Sequence, residues 1–190
     1  MKIAINGFGR IGRSVFRILA ERDDLKVVAI NDISDPKSLA YLLKYDSVMG
    51  PFSGSVTLEN GVLTTDKQDC RMLAERDPAS LPWKDLGVDV VIESTGRFRS
   101  RAECQLHIDA GAEKVILTVP PKDDIDALLV LGVNDDILKP SHRIVSNASC
   151  TTNCLAPLAK VLNDSFGLIR GVMTTVHAYT NDQSLSDWYH

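Results

Sequence analysis

Short apolar runs alternate with amphipathic stretches along most of the chain. Runs of β-branched and aliphatic residues predict strands, and apolar residues spaced three or four apart predict helices. The predicted strands are residues 2–6, 26–31, 88–93, 114–119, 128–133 and 143–146, with a hairpin over 55–65 around Asn60-Gly61. The predicted helices are residues 10–22, 36–45 and 100–110. This alternation predicts an α/β fold with a mainly parallel sheet covered by helices.

The pattern changes after Asn147, where small polar residues and two cysteines lead into a helix predicted to end near Asp164. Residues 168–180 are then predicted to form one long strand. We place a domain boundary near Ser149, with a first domain over 1–149 and the start of a second, α+β catalytic domain over 150–190. About 40 residues are too few to bury a core of their own, so we expect the chain to be the N-terminal part of a longer protein.

Composition narrows the function classes. The net charge of −4 comes without any run of Lys or Arg, which argues against a nucleic-acid partner. No stretch approaches the roughly 20 apolar residues of a membrane span, and the N-terminus lacks the apolar core of a secretory signal. With four cysteines and no export signal, we expect reduced thiols in a cytoplasmic protein.

A glycine motif, Gly7-x-Gly9-x-x-Gly12, follows the first predicted strand and opens the first predicted helix. In a Rossmann-like βαβ unit, such glycines allow a tight turn, a close backbone approach to a pyrophosphate, and helix packing on the strand. Asp32 ends the second strand, where its carboxylate can bind a ribose 2′-hydroxyl and repel a 2′-phosphate. These features predict NAD; the alternative is a glycine turn in an ordinary α/β protein, with Asp32 as a loop acid.

Cys150 stands at the start of a predicted helix, whose dipole and free N–H groups favour a thiolate. A dipole contributes only about 0.3–1 kcal/mol, too little to ionise most of a thiol at pH 7. A second group is therefore needed, and His177 on the long predicted strand is the candidate base. The alternative is a strand histidine satisfied by its neighbours.

The other histidines and Cys154 are weaker candidates. We expect His107 on a surface helix, His142 in a loop and His190 at the end of the chain. Cys154 could form a metal or redox pair with Cys150, but no further Cys/His cluster adjoins it. We therefore predict no metal site and a buried, structural Cys154.

Five segments together resemble the phosphorylating glyceraldehyde-3-phosphate dehydrogenase family. They are residues 6–12 (NGFGRIG), 43–47 (LKYDS), 93–96 (ESTG), 146–154 (SNASCTTNC) and 177–183 (HAYTNDQ). The resemblance runs through the whole chain in order, and the segment around Cys150 is highly specific. It supports the expectation that the chain is part of a longer protein.

The resemblance implies roles for individual residues. Cys150 would be the nucleophile and His177 the base that activates it. The residues implied or predicted to contact NAD are Gly7, Phe8, Gly9, Arg10, Ile11, Gly12, Asp32, Arg76, Ser94, Thr95, Gly96 and Thr118. Those implied to bind the substrate or phosphate are Ser149, Cys150, Thr151 and Thr180. Each hydroxyl also has a structural alternative, and Ser149 in particular could be only a helix cap.

The implied reaction is the NAD-dependent oxidation of glyceraldehyde 3-phosphate to 1,3-bisphosphoglycerate, with inorganic phosphate, through a thioester on Cys150. A homotetramer and a place in glycolysis or gluconeogenesis are implied as well. Two alternatives stay open: an erythrose-4-phosphate dehydrogenase, and an NAD-binding or interaction module without turnover. Trp188-Tyr189 replaces the Leu-Pro of many NAD-specific members, which leaves dual use of NAD and NADP open.

Overall fold

The computed structural model describes residues 1–178 and residue 180. Within these residues the strands are β1 (Lys2–Asn6), β2 (Lys26–Asn31), β3 (Val56–Glu59), β4 (Val62–Thr65), β5 (Asp69–Leu73), β6 (Val90–Glu93), β7 (Lys114–Leu117), β8 (Ala127–Leu128) and β9 (Ile144–Ser146). The α-helices are α1 (Arg10–Ala20), α2 (Pro36–Lys44), α3 (Trp83–Leu86), α4 (Arg101–Asp109) and α5 (Cys150–Phe166), and short 3₁₀ turns cover Pro78–Ser80 and Asp135–Ile137.

The nine described strands form one sheet in the order β3-β4-β5-β2-β1-β6-β7-β9-β8. All neighbours are parallel except the β3–β4 and β4–β5 pairs. The chain leaves β1 toward β2 and β5, then returns to β6 and continues toward β7 and β9. The strand order therefore reverses beside β1, which is where doubly wound folds place a ligand crevice. The predicted α/β class with a mainly parallel, Rossmann-like sheet is confirmed.

Successive residues of β1 pack into two different cores, one on each face of the sheet. Ile3 and Ile5 pack into one core with Phe16 of α1, whereas Ala4 belongs to a second core with Trp83 of α3. Successive strand residues point to opposite faces, so an uninterrupted apolar strand requires helices on both sides. The central position of β1 thus follows from its sequence.

Local signals set most element ends. Asp35 caps α2 by accepting a hydrogen bond from Ser38 N, and Ser100 and Glu103 form a reciprocal capping box on α4. Asn60 and Gly61 both have positive φ, as the tight hairpin between β3 and β4 requires. The predicted hairpin is confirmed, and α5 ends two residues beyond the predicted Asp164.

One predicted strand is wrong in extent, and another is absent from the described residues. Only Ala127–Leu128 of the region around 128–133 is a strand, because Asn134 accepts from Val130 N and donates to Leu128 O, which turns the chain. Residues 168–178 and 180 form no strand; they are exposed, and a strand needs a hydrogen-bonded neighbour. β5 was not predicted, because its alternation of polar residues with Cys70 and Met72 is a weak apolar signal.

The second part of the chain begins with α5. This helix buries none of its residues, and Leu158, Val161 and Phe166 are each at least 60% exposed. The two apolar cores lie within the first 144 residues. Among the described helices, none has both the length and the apolar character needed to cross a membrane.

Candidate functional site

A cleft of about 290 Å³ opens at the carboxyl ends of β1, β2 and β6, where the strand order reverses. Its lining residues are Gly7, Gly9, Asn31, Asp32, Ile33, Glu75, Arg76, Ser94, Thr95, Arg97 and Phe98. Six of these were predicted as cofactor contacts. The other five were missed, because they adjoin the cleft only once β2, β5 and β6 are assembled.

Two glycines of the motif are required by the fold itself. Gly7 has φ +92°, and a Cβ on it would lie 2.6 Å from Thr95 N. A Cβ on Gly12 would lie 2.1 Å from Gly7 O, so α1 can approach the turn this closely only with glycine at that position. Both contacts confirm the predicted turn and helix packing.

Gly9 differs, because the space around it is open. It precedes α1 with φ −71°, which any residue can adopt, and a Cβ there would meet no described atom within 4 Å. No side chain among the described residues caps the start of α1, so its first N–H groups, next to Gly9 of the cleft lining, have no side-chain acceptor. A helix N-terminus of this kind fits an anionic group such as a pyrophosphate.

Asp32 lies at the edge of the cleft. Its Oδ2 accepts a hydrogen bond from Phe8 N at 2.7 Å, and its Oδ1 accepts one from Ser34 N at 2.9 Å. Each carboxylate oxygen keeps a second lone pair for a ligand hydroxyl. Asp32 therefore anchors the glycine turn and still presents an acceptor and a negative charge to the cleft.

The other predicted cofactor residues do not line the cleft. The Phe8 side chain is buried against Phe16, with ring centroids 5.7 Å apart, so only the Phe8 backbone is available to a ligand. Arg10 and Ile11 are exposed on the first turn of α1 but do not line the cleft. Gly96 and Thr118 also lie outside its lining, and Thr118 Oγ1 donates to Glu93 O at 3.2 Å.

The junction between β9 and α5 presents a thiol at a helix start. Ala148 has φ 60° and turns the chain sharply, and Ser149 then caps α5 by accepting from Thr152 N at 3.0 Å. Asn153 Nδ2 secures the turn by donating to Asn147 O and Ser149 O. Cys150 is the first residue of α5, so the helix dipole acts on its sulfur. The structure confirms the capping role of Ser149.

Cys150 and His177 lie together. Cys150 Sγ is 3.2 Å from His177 Nε2, within the range of a sulfur hydrogen bond. The hydrogen bond with His177 holds the thiol pKa of Cys150 below its ordinary value, and the Thr151 backbone N–H acts in the same direction. The pairing that spacing alone left open is therefore present. Thr151 is half-buried in the first turn, and Thr180 is exposed three residues after His177.

The predictions for His107 and Cys154 are wrong. His107 is fully buried rather than on a surface helix, because α4 turns it toward the ends of β1 and β6. Cys154 is exposed rather than buried, because nothing in the described chain covers its face of α5.

Among the residues described, no group of three or more His, Cys, Asp or Glu could hold a metal ion. Trp188-Tyr189 and most of segment 177–183 beyond Ala178 lie outside the described residues.

Comparison with known proteins gives two matches to family models. Residues 1–101 match the NAD binding domain of glyceraldehyde 3-phosphate dehydrogenase, and residues 149–190 match its C-terminal domain. The first match covers the glycine turn, Asp32 and all the residues that line the cleft. It confirms NAD as the predicted cofactor.

Individual relatives agree along the whole chain. The chain is 56% identical to the glyceraldehyde-3-phosphate dehydrogenase of Thermotoga maritima, 57% to that of Borreliella burgdorferi and 52% to that of Geobacillus stearothermophilus. Each comparison covers 100% of this chain but only 57–58% of the relative. The reversed strand order, the glycine turn, the thiol at a helix start and these matches agree, and the chain belongs to the glyceraldehyde 3-phosphate dehydrogenase family.

Proposed function

We propose that the protein carrying this chain is an oxidoreductase that converts glyceraldehyde 3-phosphate to 1,3-bisphosphoglycerate, using NAD and inorganic phosphate. The observation that carries the proposal is the contact between Cys150 Sγ and His177 Nε2 at the start of α5. This contact pairs an activated nucleophile with an acid/base in a chain that also has an NAD binding domain.

Cys150 begins the reaction as a thiolate. Its sulfur attacks the aldehyde carbon, so a C–S bond forms as the C=O π bond opens. The oxygen takes the proton that His177 removed from the thiol and becomes the hydroxyl of a hemithioacetal. His177 Nε2 then removes the hydroxyl proton while the carbon loses a hydride, which leaves a thioester. NAD, when bound, supplies the hydride acceptor. A phosphate oxygen attacks the thioester, the C–S bond breaks, and Cys150 is released as a thiolate.

The cofactor contacts are proposed to follow the cleft. The start of α1, beside Gly9, would hold the pyrophosphate, and Asp32 would accept a hydrogen bond from the adenosine ribose. Arg76 would contact the adenine. The remaining contacts are proposed at the Gly7 and Phe8 backbone, Arg10, Ile11, Gly12, Ser94, Thr95, Gly96 and Thr118. The open space at Gly9 and the free acceptor capacity of Asp32 support this placement.

Substrate phosphate groups are proposed to contact Ser149, Thr151 and Thr180. Ser149 and Thr151 adjoin Cys150 in the first turn of α5, where helix N–H groups favour an anion. We place the NAD-binding domain at 1–149 and the catalytic domain from 150, consistent with the second family match beginning at 149. A homotetramer in the cytoplasm is proposed from the family.

A matched pair of cysteine variants tests the chemistry. NADH formation is followed by absorbance with glyceraldehyde 3-phosphate or erythrose 4-phosphate, each with and without phosphate. Cys150→Ser is expected to reduce turnover to background, whereas Cys154→Ser, on the same exposed helix, keeps it. Undiminished turnover in Cys150→Ser would refute the thioester. Equal rates without phosphate, or a preference for erythrose 4-phosphate, would replace the phosphorylating reaction with the hydrolytic one.

A further inference from the structure

A buried polar cluster lies beneath the cofactor cleft. It consists of Asn6, Asn31, Glu93 and His107, each at most 4% exposed, together with the indole N–H of Trp83. Asn6 pairs in register with Asn31 on one side and with Glu93 on the other, so three polar side chains end three adjacent strands. The proposed chemistry uses none of these side chains. Burying polar groups costs free energy unless they are hydrogen-bonded, so the contacts within the cluster call for an explanation.

Glu93 is the centre of this cluster. Its Oε1 accepts from Thr95 N at 2.8 Å and from the Thr95 hydroxyl, and its Oε2 accepts from Asn6 Nδ2 at 2.6 Å and His107 Nε2 at 3.1 Å. Four donors match the lone-pair capacity of one carboxylate. The side chain therefore has a single well-defined position.

Trp83 determines the form of His107. The indole Nε1 lies 3.0 Å from His107 Nδ1, and an indole N–H can only donate. Nδ1 must therefore be the unprotonated ring nitrogen, which places the proton on Nε2, where it is donated to Glu93. The histidine is thus held as one tautomer with one orientation.

Both walls of the cleft are bonded to this cluster. Thr95, held by Glu93 through its backbone and hydroxyl, forms the wall after β6. On the other side, Asn6 Oδ1 accepts from Asn31 Nδ2, and the Asn31 amide exchanges two hydrogen bonds with the Glu75 backbone. Glu75 belongs to the wall after β5. A single set of hydrogen bonds therefore sets the separation of the two walls.

We propose that His107 is a positioning residue for NAD, acting through Glu93 on the cleft wall at Thr95. It touches no ligand itself; it fixes the carboxylate that fixes the wall. The inference rests on the proposed placement of NAD in this cleft, and it is independent of the aldehyde chemistry at Cys150.

Two substitutions at His107 separate this role from simple packing. The amide of His107→Asn can replace Nδ1 as an acceptor for Trp83 but does not reach Glu93. The amide of His107→Gln can replace Nε2 as a donor to Glu93 but leaves the Trp83 N–H without its acceptor. Each variant loses one buried hydrogen bond, so both are expected to lower the melting temperature.

Only the loss of the Glu93 contact is expected to weaken NAD binding. The Kd for NAD, measured by calorimetry on the protein without aldehyde, should rise on the order of tenfold in His107→Asn and stay within about twofold in His107→Gln. Equal effects of both variants, or no effect of either, would overturn the proposal. Asp32→Ala is the control for the placement: if it leaves the Kd unchanged, NAD does not occupy this cleft.

A measurement on the unsubstituted protein remains decisive if a variant does not fold. In a ¹⁵N-histidine spectrum, we expect His107 with its proton on Nε2 and expect NAD to shift its Nε2–H signal, although the ring is fully buried. A proton on Nδ1, or a signal that NAD leaves unchanged, would contradict the proposal.

Discussion

Cys150 Sγ lies 3.2 Å from His177 Nε2, although 27 positions of sequence separate the two residues. The helix start and the histidine act on the same sulfur, and the hydrogen bond with His177 is the larger cause of its lowered pKa. A thiol with a lowered pKa stays ionised to lower pH, so its reactivity should extend further into the acid range.

Replacement of His177 should reverse this effect. In His177→Asn the thiol pKa rises, and the pH dependence of Cys150 alkylation by iodoacetamide moves to higher pH. The rate at neutral pH falls accordingly, because less of the thiol is ionised. Mass spectrometry of each cysteine gives the rates, and exposed Cys154 in the same sample serves as the internal control. A Cys150 curve that coincides with that of the unsubstituted protein would contradict the role of His177.

The glycines at positions 9 and 12 should respond in opposite ways. Gly12→Ala places a methyl group 2.1 Å from Gly7 O and should destabilise the fold by several kcal/mol. Gly9→Ala enters open space with an allowed backbone, so its melting temperature should stay nearly unchanged while NAD affinity falls at least about tenfold. Thermal unfolding and NAD calorimetry test both. Unchanged NAD binding in Gly9→Ala would place the pyrophosphate elsewhere.

Asp32 should determine the choice between NAD and NADP. Asp32→Ser removes the negative charge that repels a 2′-phosphate, so the ratio of NADP affinity to NAD affinity should rise, about tenfold or more. Asp35→Ser removes the same charge three residues later but retains a good helix cap, and it should leave the ratio unchanged. If both variants shift the ratio equally, the effect comes from general charge rather than from the site.

Glu103 should make the fold sensitive to acid. Hydrogen bonds from the Ser100 and Arg99 backbone lower its pKa to about 2, so the ionised form stabilises α4. This contribution is present above the ordinary glutamate pKa and is lost as pH falls toward about 2. Glu103→Gln should therefore cost about 1 kcal/mol at neutral pH and show a smaller loss of stability between pH 5 and 2. Urea unfolding across that range tests it; an identical pH slope would contradict the assignment.

Sequence alone could predict elements whose signals are local. β1 and β2 have the predicted bounds, and α4 lies within the helix predicted over residues 100–110. Gly7 and Gly12 were predicted for the reasons that the structure shows. The start of α5 was likewise evident from Ser149.

The features of the fold and of the site that sequence alone could not predict depend on contacts between distant segments of the chain. His107 was expected at the surface, because α4 carries many polar residues and only packing against β1 and β6 shows which of its faces is buried. The Cys150–His177 pair is another long-range contact that spacing alone did not favour. Glu75 was also missed, because it comes to face Thr95 across the cleft only through the order of the strands.

The row of Asn6, Asn31 and Glu93 also bears on folding fidelity. A slip of β1 by one residue would place apolar Ile5 between Asn31 and Glu93 and would turn Asn6 to the opposite face. The Glu93 carboxylate would then lose a donor in a dry interior, which costs about 1–3 kcal/mol or more for a charged group. If these three strands ended in apolar residues instead, the sheet would tolerate such a shift more readily. The side chains that shape the cleft thus penalise misaligned sheets, and a chain that folds with a stable core has thereby also aligned its cofactor site.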